Sequence, residues 1–529
     1  MRSRYFIIPL IGLICLSAFG QQDNPTFLVG PYLQDATPTS IKIMWESSSG
    51  EESVVEWGPT VHLGKKSKGT AEGINYGESR VHEVRLEGLQ RFTDYHYRVR
   101  TGKLVSDIHQ FKTPPFAEDD RSFNLVAMSD MQKDHNRPDQ FSEVVQNGIL
   151  DYLEKEYDGK LSDNLALVMV PGDLVATGSD YLQWQNDFFG PAVKLLSSVP
   201  VYPVLGNHEQ NSLYYFKYFS LPENGDPAYA EHWWYKDYGN TRIIGLNSND
   251  GYRNSKYQYE WLKKVLEETA SNGDIDFVFA QLHHPFKSEL WIPGEEEFTG
   301  KVVGLLEEFS TKTGKPSIHF FGHTHGYSRG QSQDHKHLWV NVASAGGALD
   351  NWGEFEGRDY DEFTVTQDEY GFVMVEVDGS RDDPKFTVKR ISRGNADFPK
   401  DNELTDSITI YKNVHRPETP EPISPSDGTV ELTGALLKAG PFKSTFSDAL
   451  HAASHWQVAT DSSFAKLEYD RWKQHENWYY MEDRQKNDDL TDEMTERLSP
   501  GTNYYWRVRY RDQHLNWSDW SPVQTFKTK

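Results

Sequence analysis

Five apolar runs in the middle of the chain each stop at a polar residue that could hold a metal ion. Such runs predict buried strands, and in open α/β sheets ligands gather beyond the C-terminal ends of the strands. Asparagine and histidine, like carboxylates, offer the oxygen and nitrogen atoms that divalent metals take. Five stops within about 200 residues, the size of one domain, predict a single rim that collects metal ligands. The stops are Asp130-Met131-Gln132, Gly172-Asp173, Gly206-Asn207-His208-Glu209, His283-His284 and Gly322-His323-Thr324-His325.

The composition of the chain indicates an acidic protein with several domains. Its 529 residues are too many for one domain, and 25% charged with 37% hydrophobic residues is ordinary for a globular protein. The formal charge of -25 argues against a nucleic-acid-binding surface, which needs a basic stripe. Any positive field at an anion-binding site must therefore come from bound metal.

Residues 1–20 have the pattern of a cleavable secretory signal peptide. An arginine-containing start precedes an apolar run that is too short to span a bilayer, and Ala18-Phe19-Gly20 offers small residues for cleavage. No second long apolar run follows, so we predict a secreted or periplasmic protein without a membrane span. The only cysteine, Cys15, lies in this segment, so the mature chain is predicted to have neither a disulfide nor a thiolate ligand.

Two distant segments of the chain share one pattern. Leucine, threonine, tyrosine, a second aromatic residue, arginine and valine recur at identical spacing in residues 89–99 and 498–508. This pattern resembles the tyrosine corner of fibronectin type III sandwiches. We therefore predict fibronectin III-like β-sandwich domains over residues 25–115 and 428–529.

The region between these modules, residues 121–393, has the pattern of an α/β domain. Helices are predicted over residues 140–157 and 257–269, the second from apolar residues that recur on one face. Later apolar runs at 338–342 and 372–377 follow without intervening helices, which indicates a second sheet beside the first. Residues 394–427 are predicted to be a proline-rich linker, because they contain Pro399, Pro417, Pro420, Pro422 and Pro425.

The C-terminal module ends with guanidinium and indole groups in alternation. Arg507, Arg509 and Arg511 share one strand face, and Trp517 and Trp520 follow, an arrangement suited to cation–π stacking. The segment resembles the Trp-Ser-x-Trp-Ser box of some fibronectin III domains. It is either a face that contacts glycans or proteins or a structural reinforcement, and we favour the reinforcement.

The five stops together resemble the motifs of the calcineurin-like metallophosphoesterase family. The resemblance is most specific at Asp173, Asn207-His208 and His323-Thr324-His325. The N-terminal sandwich, with Gly30-Pro31-Tyr32-Leu33-Gln34, resembles that of purple acid phosphatases in particular. The resemblance covers residues 25–393. It implies a multidomain α/β plus β protein, in which a four-layer αββα metallophosphoesterase domain over residues 121–393 is flanked by the two fibronectin III-like β-sandwiches.

The resemblance also implies a two-metal site at the rim. Asp173 would bridge both ions, and its charge would offset their mutual repulsion. One metal site would be completed by Asp130, Gln132 and His325, and the other by Asn207, His283 and His323. The implied cofactors are two divalent or trivalent metal ions, from among Mn, Zn, Fe and Mg.

His208 lies beside a ligand, and by resemblance it faces the substrate. Its implied role is proton donor to the leaving oxygen or contact to the transition state. The alternative is a hydrogen bond to the metal ligands. For His284, packing against the ligands is as good an interpretation as substrate contact, and His319 is predicted to be a core residue.

Two residues depart from the family pattern. Purple acid phosphatases carry a tyrosine ligand three residues after the bridging aspartate, where this chain has Ala176. We therefore predict no tyrosinate chemistry, unless another phenolate such as Tyr181 reaches the metal. Position 132 is His or Gly in most relatives and is Gln132 here. An amide oxygen in place of imidazole would weaken the binding of the first ion and favour harder ions such as Mn²⁺ or Mg²⁺ at that site.

The resemblance implies an exported, binuclear metal-dependent phosphoesterase. Metal-activated hydroxide would hydrolyse phosphate monoesters, and the substrate would be a phosphorylated small molecule or polymer. Two alternatives stay open: a phosphodiesterase on the same site, and a non-catalytic binding protein that retains metal.

Overall fold

The structure is a computed structural model that describes residues 24–249, 256–355, 359–477, 485 and 487–529. The described chain forms an N-terminal β-sandwich, a central α/β domain and a C-terminal β-sandwich. The predicted signal peptide lies outside the described residues. Among the helices that are described, none is long and apolar enough to cross a membrane.

The N-terminal module is a sandwich of two antiparallel sheets. Alternate residues along its second strand, Ile41, Ile43 and Trp45, are fully buried between the sheets. The predicted tyrosine corner is confirmed, because the Tyr95 hydroxyl accepts the Gln90 N–H at 2.9 Å. The first sheet holds, in spatial order, Phe27–Gln34, Ser40–Ser47, Ser79–Glu87 and Thr70–Ile74, and the second holds Lys65–Lys68, Val54–Gly58, Asp94–Thr101 and Leu104–Val105, with His109–Lys112 paired to Asp94–Thr101.

The central domain contains two mixed sheets. In each sheet the strands that end at the rim are parallel, and other strands add antiparallel pairs. The six-stranded sheet has the order Val201–Pro203, Leu167–Val170, Phe123–Ala127, Tyr370–Asp378, Lys385–Gly394 and Pro399–Tyr411. The seven-stranded sheet has the order Trp234–Tyr238, Thr241–Gly245, Phe277–Gln281, Ser317–Phe321, His337–Asn341, Tyr327–Gln331 and Phe363–Gln367.

The two central sheets contact each other through aromatic side chains. The ring of Phe386 in the six-stranded sheet lies 5.2 Å from Phe277 and 5.1 Å from Phe279 in the seven-stranded sheet. Helices pack on other faces: Val302 and Leu306 share a buried cluster with strand residues of the seven-stranded sheet. The helices are Gln140–Glu143 with its continuations Val144–Leu150 and Asp151–Glu156, Leu161–Asn164, Tyr181–Gln183 with Trp184–Phe189 and Gly190–Leu196, Leu213–Tyr218, Lys256–Ser271 and Glu297–Thr313.

The two helices predicted from the sequence are confirmed. The helix predicted over 140–157 runs from Gln140–Glu143 to Asp151–Glu156, with a π-helical stretch at Val144–Leu150. The helix predicted over 257–269 is Lys256–Ser271, and it buries Leu262, Val265 and Leu266.

The prediction of a linker over residues 394–427 is wrong for much of that segment. Pro399–Tyr411 is a strand that pairs antiparallel with Lys385–Gly394. Pro399 is the first residue of this strand, a position where proline is tolerated because no ladder N–H is needed. Its later residues Ile408 and Ile410 are buried in alternation, as a half-buried strand requires. The central domain therefore continues to Tyr411.

A buried ion pair ties this last strand to the seven-stranded sheet. Arg329 donates from Nε and Nη2 to the two carboxylate oxygens of Asp406 at 2.6 and 3.0 Å. The Tyr327 hydroxyl donates to the same carboxylate at 2.7 Å. Burial acts to raise the pKa of Asp406, but Arg329 and Tyr327 hold that pKa below its usual value.

The C-terminal module repeats the hydrogen bonding of the N-terminal one. The Tyr504 hydroxyl accepts the Ser499 N–H at 3.0 Å, and the Thr528 hydroxyl donates to the Ser499 carbonyl at 2.6 Å, as Thr113 does to the Gln90 carbonyl at 2.6 Å. One sheet holds Pro422–Ser424, Leu436–Ala439 and Asp492–Met494, and the other holds Gly428–Val430, Gln524–Thr528, Asn503–Asp512, His451–Ala459 and Leu467–Gln474.

The predicted stack of arginines and tryptophans is present, and it lies against the central domain. The Arg509 guanidinium carbon is 4.3 Å from the ring centre of Trp517 and 4.5 Å from that of Trp520. Arg511 donates to two backbone carbonyls of the turn at residues 332–335, both at 2.8 Å, and Trp517 donates to a third at 2.9 Å. Arg509 pairs with Asp334 of the same turn. These contacts favour the reinforcement interpretation.

Candidate metal centre

The five stops lie at one rim where the two central sheets meet. Asp130 and Asp173 follow strands of the six-stranded sheet, whereas His283, His323 and His325 follow strands of the seven-stranded sheet. Atoms from the two groups touch. Asp130 Oδ1 is 3.2 Å from His325 Nε2, and Asp173 Oδ2 is 3.2 Å from His283 Nε2. The predicted convergence of these side chains is therefore present in the fold.

Asp130 is a fully buried carboxylate with several donors. It accepts the Ser129 hydroxyl at 2.5 Å and the His323 N–H at 3.1 Å. Burial acts to raise its pKa, but the hydrogen bond and charge of His325 lower the pKa below its usual value. The carboxylate is consequently held as an anion, the form that binds a cation.

Asp173 lies close to a residue of each predicted metal site, since donor atoms of Asp130, Asp173 and His283 lie within 4.8 Å of one another. Its Oδ1 accepts the His208 N–H at 2.9 Å, and its Oδ2 lies 3.2 Å from His283 Nε2 and 3.8 Å from His208 Nε2. The Met131 N–H donates to the Asp173 carbonyl at 2.8 Å, which joins the first stop to the second.

Three of the predicted ligands have left-handed backbone. The φ angles are 60° at Asp130, 53° at Asp173 and 71° at His323. Residues other than glycine rarely take this conformation, and its cost persists only where the surrounding structure imposes it. The turns after these three strands are thus shaped to present the side chains.

Three histidines of the rim are oriented in the same way. Each places Nδ1 within hydrogen-bond distance of a backbone carbonyl, which can only accept, so Nδ1 carries the proton in the neutral ring. The unprotonated Nε2 then faces the rim, as outer hydrogen bonds orient metal-binding imidazoles generally. The pairs are His208 with Ala176 at 2.7 Å, His283 with Pro171 at 2.9 Å, and His325 with Ala348 at 2.6 Å.

Burial, neighbouring carboxylates and a neighbouring histidine shift the pKa values of three rim histidines. Burial acts to lower the pKa of His283, but Asp173 raises that pKa to about 9. Burial acts in the same way on His325, and Asp130 raises its pKa to about 9. For His323, burial and the nearby His283 lower the pKa to about 4. The negative potential that favours protons on two of the rings would favour a metal cation in their place.

The residues predicted for the second metal site are also adjacent. Asn207 Oδ1 is 2.9 Å from His283 Nε2, and His283 Nε2 is 3.2 Å from His323 Nδ1. Among the histidine and carboxylate side chains of the described residues, two groups of three have donor atoms within 4.8 Å of one another: His283 with His284 and His323, and Asp130 with Asp173 and His283.

Gln132 is buried at the other end of the rim. Its Nε2 lies 3.0 Å from His325 Nε2, while its Oε1 is buried and has no hydrogen-bond partner among the described residues. A buried acceptor without a partner is costly, and a cation would satisfy it. The donor set at this end, with Asp130 and His325, therefore fits a metal ion.

Glu209 and Gly206, which have no predicted role, fix the turns that carry the ligands. Glu209 accepts the N–H groups of Gly206 at 2.6 Å, Leu174 at 2.8 Å and Asp173 at 3.0 Å. Burial and the charge of Asp173 raise the pKa of Glu209 to about 8. A side-chain carbon on Gly206 would lie 2.1 Å from Asp173 Oδ1, which explains the glycine. The signal for both was their place in the tetrad with Asn207.

Several other sequence interpretations can be placed. Tyr181 donates to Glu46 of the N-terminal module, a carboxylate that also accepts Tyr218 at 2.9 Å, so Tyr181 belongs to the interface between domains. His284 is buried with Nδ1 2.8 Å from the Ser248 hydroxyl, and its ring lies 4.4 Å from that of His323. This arrangement favours packing against the ligands. His319 is fully buried, as predicted for a core residue.

A cleft of about 440 Å³ opens beside Asn207 and His323. Its wall includes Pro293 and Gly294, which belong to the loop between the strand Phe277–Gln281 and the helix Glu297–Thr313. The indole ring of Trp291 in this loop lies 5.3 Å from the His323 ring. The cleft is thus a place where the organic part of a substrate could lie next to the rim.

The chain matches known families in all three of its parts. Residues 103–327 match the family described as calcineurin-like phosphoesterase, and residues 29–113 match the purple acid phosphatase N-terminal domain. Residues 448–529 match the Rha78A-like N-terminal immunoglobulin domain. This last match agrees with an immunoglobulin-like or fibronectin III-like C-terminal module.

Two curated relatives come from Arabidopsis thaliana. Purple acid phosphatase 15 is 26% identical over 333 residues, covering 57% of this chain and 59% of the relative. A protein named probable inactive purple acid phosphatase 27 is 23% identical over 373 residues, covering 63% and 58%. The chain therefore aligns with less than two thirds of the length of these relatives.

Two solved structures share the fold. The purple acid phosphatase PPD1 from yellow lupin (Lupinus luteus) seeds aligns with a TM-score of 0.57 at 19% identity, over 73% of this chain and 74% of the other. A structure of PhoD aligns with a TM-score of 0.53 at 14% identity, over 73% and 90%. The chain thus joins a purple acid phosphatase N-terminal domain to a calcineurin-like phosphoesterase domain, as its motifs indicated.

Proposed function

We propose that the protein is a hydrolase of phosphate esters that works with two metal ions bound at the rim. The observation that carries this proposal is the convergence of Asp130, Asp173 and His283 from separate strands of two sheets. In the proposed assignment Asp173 would be a ligand to both ions. The remaining ligands are Asp130, Gln132 and His325 for one ion, and Asn207, His283 and His323 for the other.

When bound, the two cations would supply the positive charge that binds a phosphoryl group and activates the attacking water. The chain's own contribution is the donor set. Only two of its members, Asp130 and Asp173, carry negative charge, so two divalent ions would keep a net positive charge at the rim. That remaining charge suits an anionic ester in an otherwise acidic protein, whose formal charge is -25.

His208 is the proposed proton donor to the leaving oxygen. Its Nδ1 donates to the Ala176 carbonyl at 2.7 Å, so only Nε2 faces the rim. That atom lies 3.8 Å from Asp173 Oδ2, and the side chain keeps 37% of its exposure, which leaves space for a substrate beside it. The imidazolium form would donate its Nε2 proton to the departing alkoxide or phenoxide.

The finer features of the proposal rest on the sequence. We propose phosphate monoesters as the first substrate class and diesters as the second, since the donor set suits both. We also propose that the protein is exported, with residues 1–20 as its signal peptide. The domains would be 25–115, 121–411 and 428–529. The central one would have four layers, αββα, which the contacts between the two sheets and the helices on their faces support.

A panel of chromogenic phosphate monoesters and diesters tests the activity. The metal-depleted protein is assayed alone and with added Mn²⁺ or Zn²⁺, beside Asp173→Asn, which removes the bridging charge and keeps the shape of the side chain. We expect metal-dependent hydrolysis by the natural sequence, and loss of both turnover and bound metal in the variant. Metal binding without hydrolysis of any ester would instead favour the non-catalytic binding protein.

A further inference from the structure

We infer that the C-terminal module positions the wall of the cleft and so helps to determine which esters reach the rim. This inference rests on the proposed function. The positioning residues are Gln474 and Asn477 of the module and Glu289 of the central domain. They act through the strand Phe363–Gln367 on the loop of residues 285–296, named here the Trp291 loop.

The first link runs from Asn477 to the strand. The Asn477 N–H donates to the Thr364 carbonyl at 3.0 Å. The Asn477 side-chain amide then bonds to both main-chain groups of Thr366, accepting its N–H at 2.9 Å and donating to its carbonyl at 2.8 Å. One side-chain amide thereby replaces the pairing that a neighbouring strand would give.

Gln474 strengthens the same link. Its buried side-chain amide donates to the Asp361 carbonyl at 2.8 Å and to the Phe363 carbonyl at 3.0 Å. Its oxygen accepts from Gln331, which lies on the adjacent strand of the sheet. Five hydrogen bonds therefore join the C-terminal module to main-chain groups of Asp361, Phe363, Thr364 and Thr366.

The second link runs from the strand to the Trp291 loop. The Thr366 hydroxyl donates to Glu289 Oε2 at 2.7 Å, and the Tyr360 N–H donates to Glu289 Oε1 at 2.9 Å. The Tyr360 hydroxyl donates to Glu295 Oε1 at 2.8 Å, and the Ser288 N–H donates to the same oxygen at 3.0 Å. Glu289 is thus held by the strand and by Tyr360, three residues before the strand, whereas Glu295 is held by Tyr360 and by the loop itself.

The third link runs from the loop to the rim. The Trp291 ring lies 5.3 Å from the ring of His323, and Gly294 is so close that a side-chain carbon there would lie 2.8 Å from His323 Cδ2. Pro293 and Gly294 line the cleft. A shift of this loop would change the room for the organic group of a substrate while leaving the donor atoms of the rim in place.

The test compares Asn477→Ala with Arg509→Gln in the full chain. Arg509→Gln removes a different contact of the module, the one to Asp334, and is the matched control. We expect Asn477→Ala to raise the KM for bulky esters about fivefold, as when the binding-competent loop is populated about one fifth of the time. Turnover of a small ester, bound-metal content and the control variant should be unchanged.

Hydrogen exchange provides a readout that does not depend on activity. In Asn477→Ala, amides of residues 286–296 should exchange at least fivefold faster, because the locally open state would rise from a minor population to about four fifths. Thr366→Val removes the hydroxyl that bonds to Glu289 and should reproduce the effect, whereas Thr366→Ser keeps the hydroxyl and should restore normal exchange and KM.

The outcomes separate the two ideas. If no ester is hydrolysed but Asn477→Ala loosens the Trp291 loop, the proposed function fails and the positioning role stands. If exchange and KM both stay unchanged in Asn477→Ala, the inference is wrong. It is equally wrong if the variant loses metal and turnover for all esters alike, since that pattern means general loss of structure.

Discussion

Gln132 offers the sharpest test of the metal centre, because its role follows from one atom. Its Oε1 is buried without a hydrogen-bond partner among the described residues, and its Nε2 bonds to His325 at 3.0 Å. In Gln132→Leu, the metal-free protein would lose one hydrogen bond, about 1 kcal/mol, and would also lose an unsatisfied acceptor of similar cost. We therefore expect little change in the stability of the metal-free protein.

The effect should appear when metal is added. At a metal concentration of about 100 Kd, binding stabilises the folded protein by about 2.7 kcal/mol. Loss of one ligand that weakens binding tenfold would reduce this to about 1.4 kcal/mol. At about 2 °C per kcal/mol for a large domain, the metal-induced rise in Tm should shrink by about 3 °C. Calorimetry of the metal titration gives the affinity directly.

The chain contains a matched control for this experiment. Like Gln132, Gln281 is a buried residue; its Nε2 donates to the Tyr202 carbonyl at 2.8 Å, and its Oε1 has no partner in the described part of the chain. Gln281→Leu should leave the metal-induced rise intact. Gln132→His should bind Zn²⁺ more tightly than the natural sequence does, since imidazole is the stronger donor to that ion. An equal metal response in Gln132→Leu and in the natural sequence would remove Gln132 from the ligand set.

Three further predictions address the leaving group, the colour and the last strand. His208→Ala should slow the hydrolysis of alkyl phosphates by about 10²–10³-fold. The hydrolysis of nitrophenyl phosphate should slow far less, since the departing nitrophenoxide needs no proton. Equal losses of turnover for both esters in steady-state kinetics would contradict the role of His208. Because Ala176 offers no phenolate, iron-loaded protein should lack an intense visible absorption band, and a purple colour would refute this. Asp406→Asn should lower the free energy of unfolding by about 3 kcal/mol, because it leaves buried Arg329 without its charge partner. The pKa of Asp406 is lowered in the fold, so this stabilisation is present above the usual carboxyl pKa and should fade as pH falls through the folded value, which denaturant unfolding across pH can measure.

The ligands at the rim could be predicted because the sequence signal for each of them lies within one short segment. Each stop is an apolar run followed by a donor residue, and strands of an α/β sheet bring their C-terminal ends to one edge. The orientation of the histidines could not be predicted in this way. The carbonyls that accept from His208, His283 and His325 belong to residues 32, 112 and 23 positions away along the chain. Nothing in the composition of those segments indicates the contact.

The prediction of a linker over residues 394–427 fails because proline content is a weaker signal here than the alternation of apolar residues. Pro399 stands where a strand tolerates it, and the alternating burial of Ile408 and Ile410 was the better guide. The contacts of the C-terminal module lie beyond local patterns altogether. Asn477 and Thr366 are separated by 111 positions, and an asparagine that pairs with a strand looks like any other asparagine in a loop.

The contact of Asn477 with the strand Phe363–Gln367 also bears on how the protein avoids self-association. This strand is the last in the seven-stranded sheet, so one of its sides has no strand neighbour among the described residues. An open strand edge invites pairing with another chain, and natural proteins protect such edges. Asn477 and Gln474 cover this one by bonding to its main chain. Deleting the C-terminal module would therefore expose the unpaired main chain of this strand. We expect the truncated protein to aggregate whether or not metal is bound at the rim.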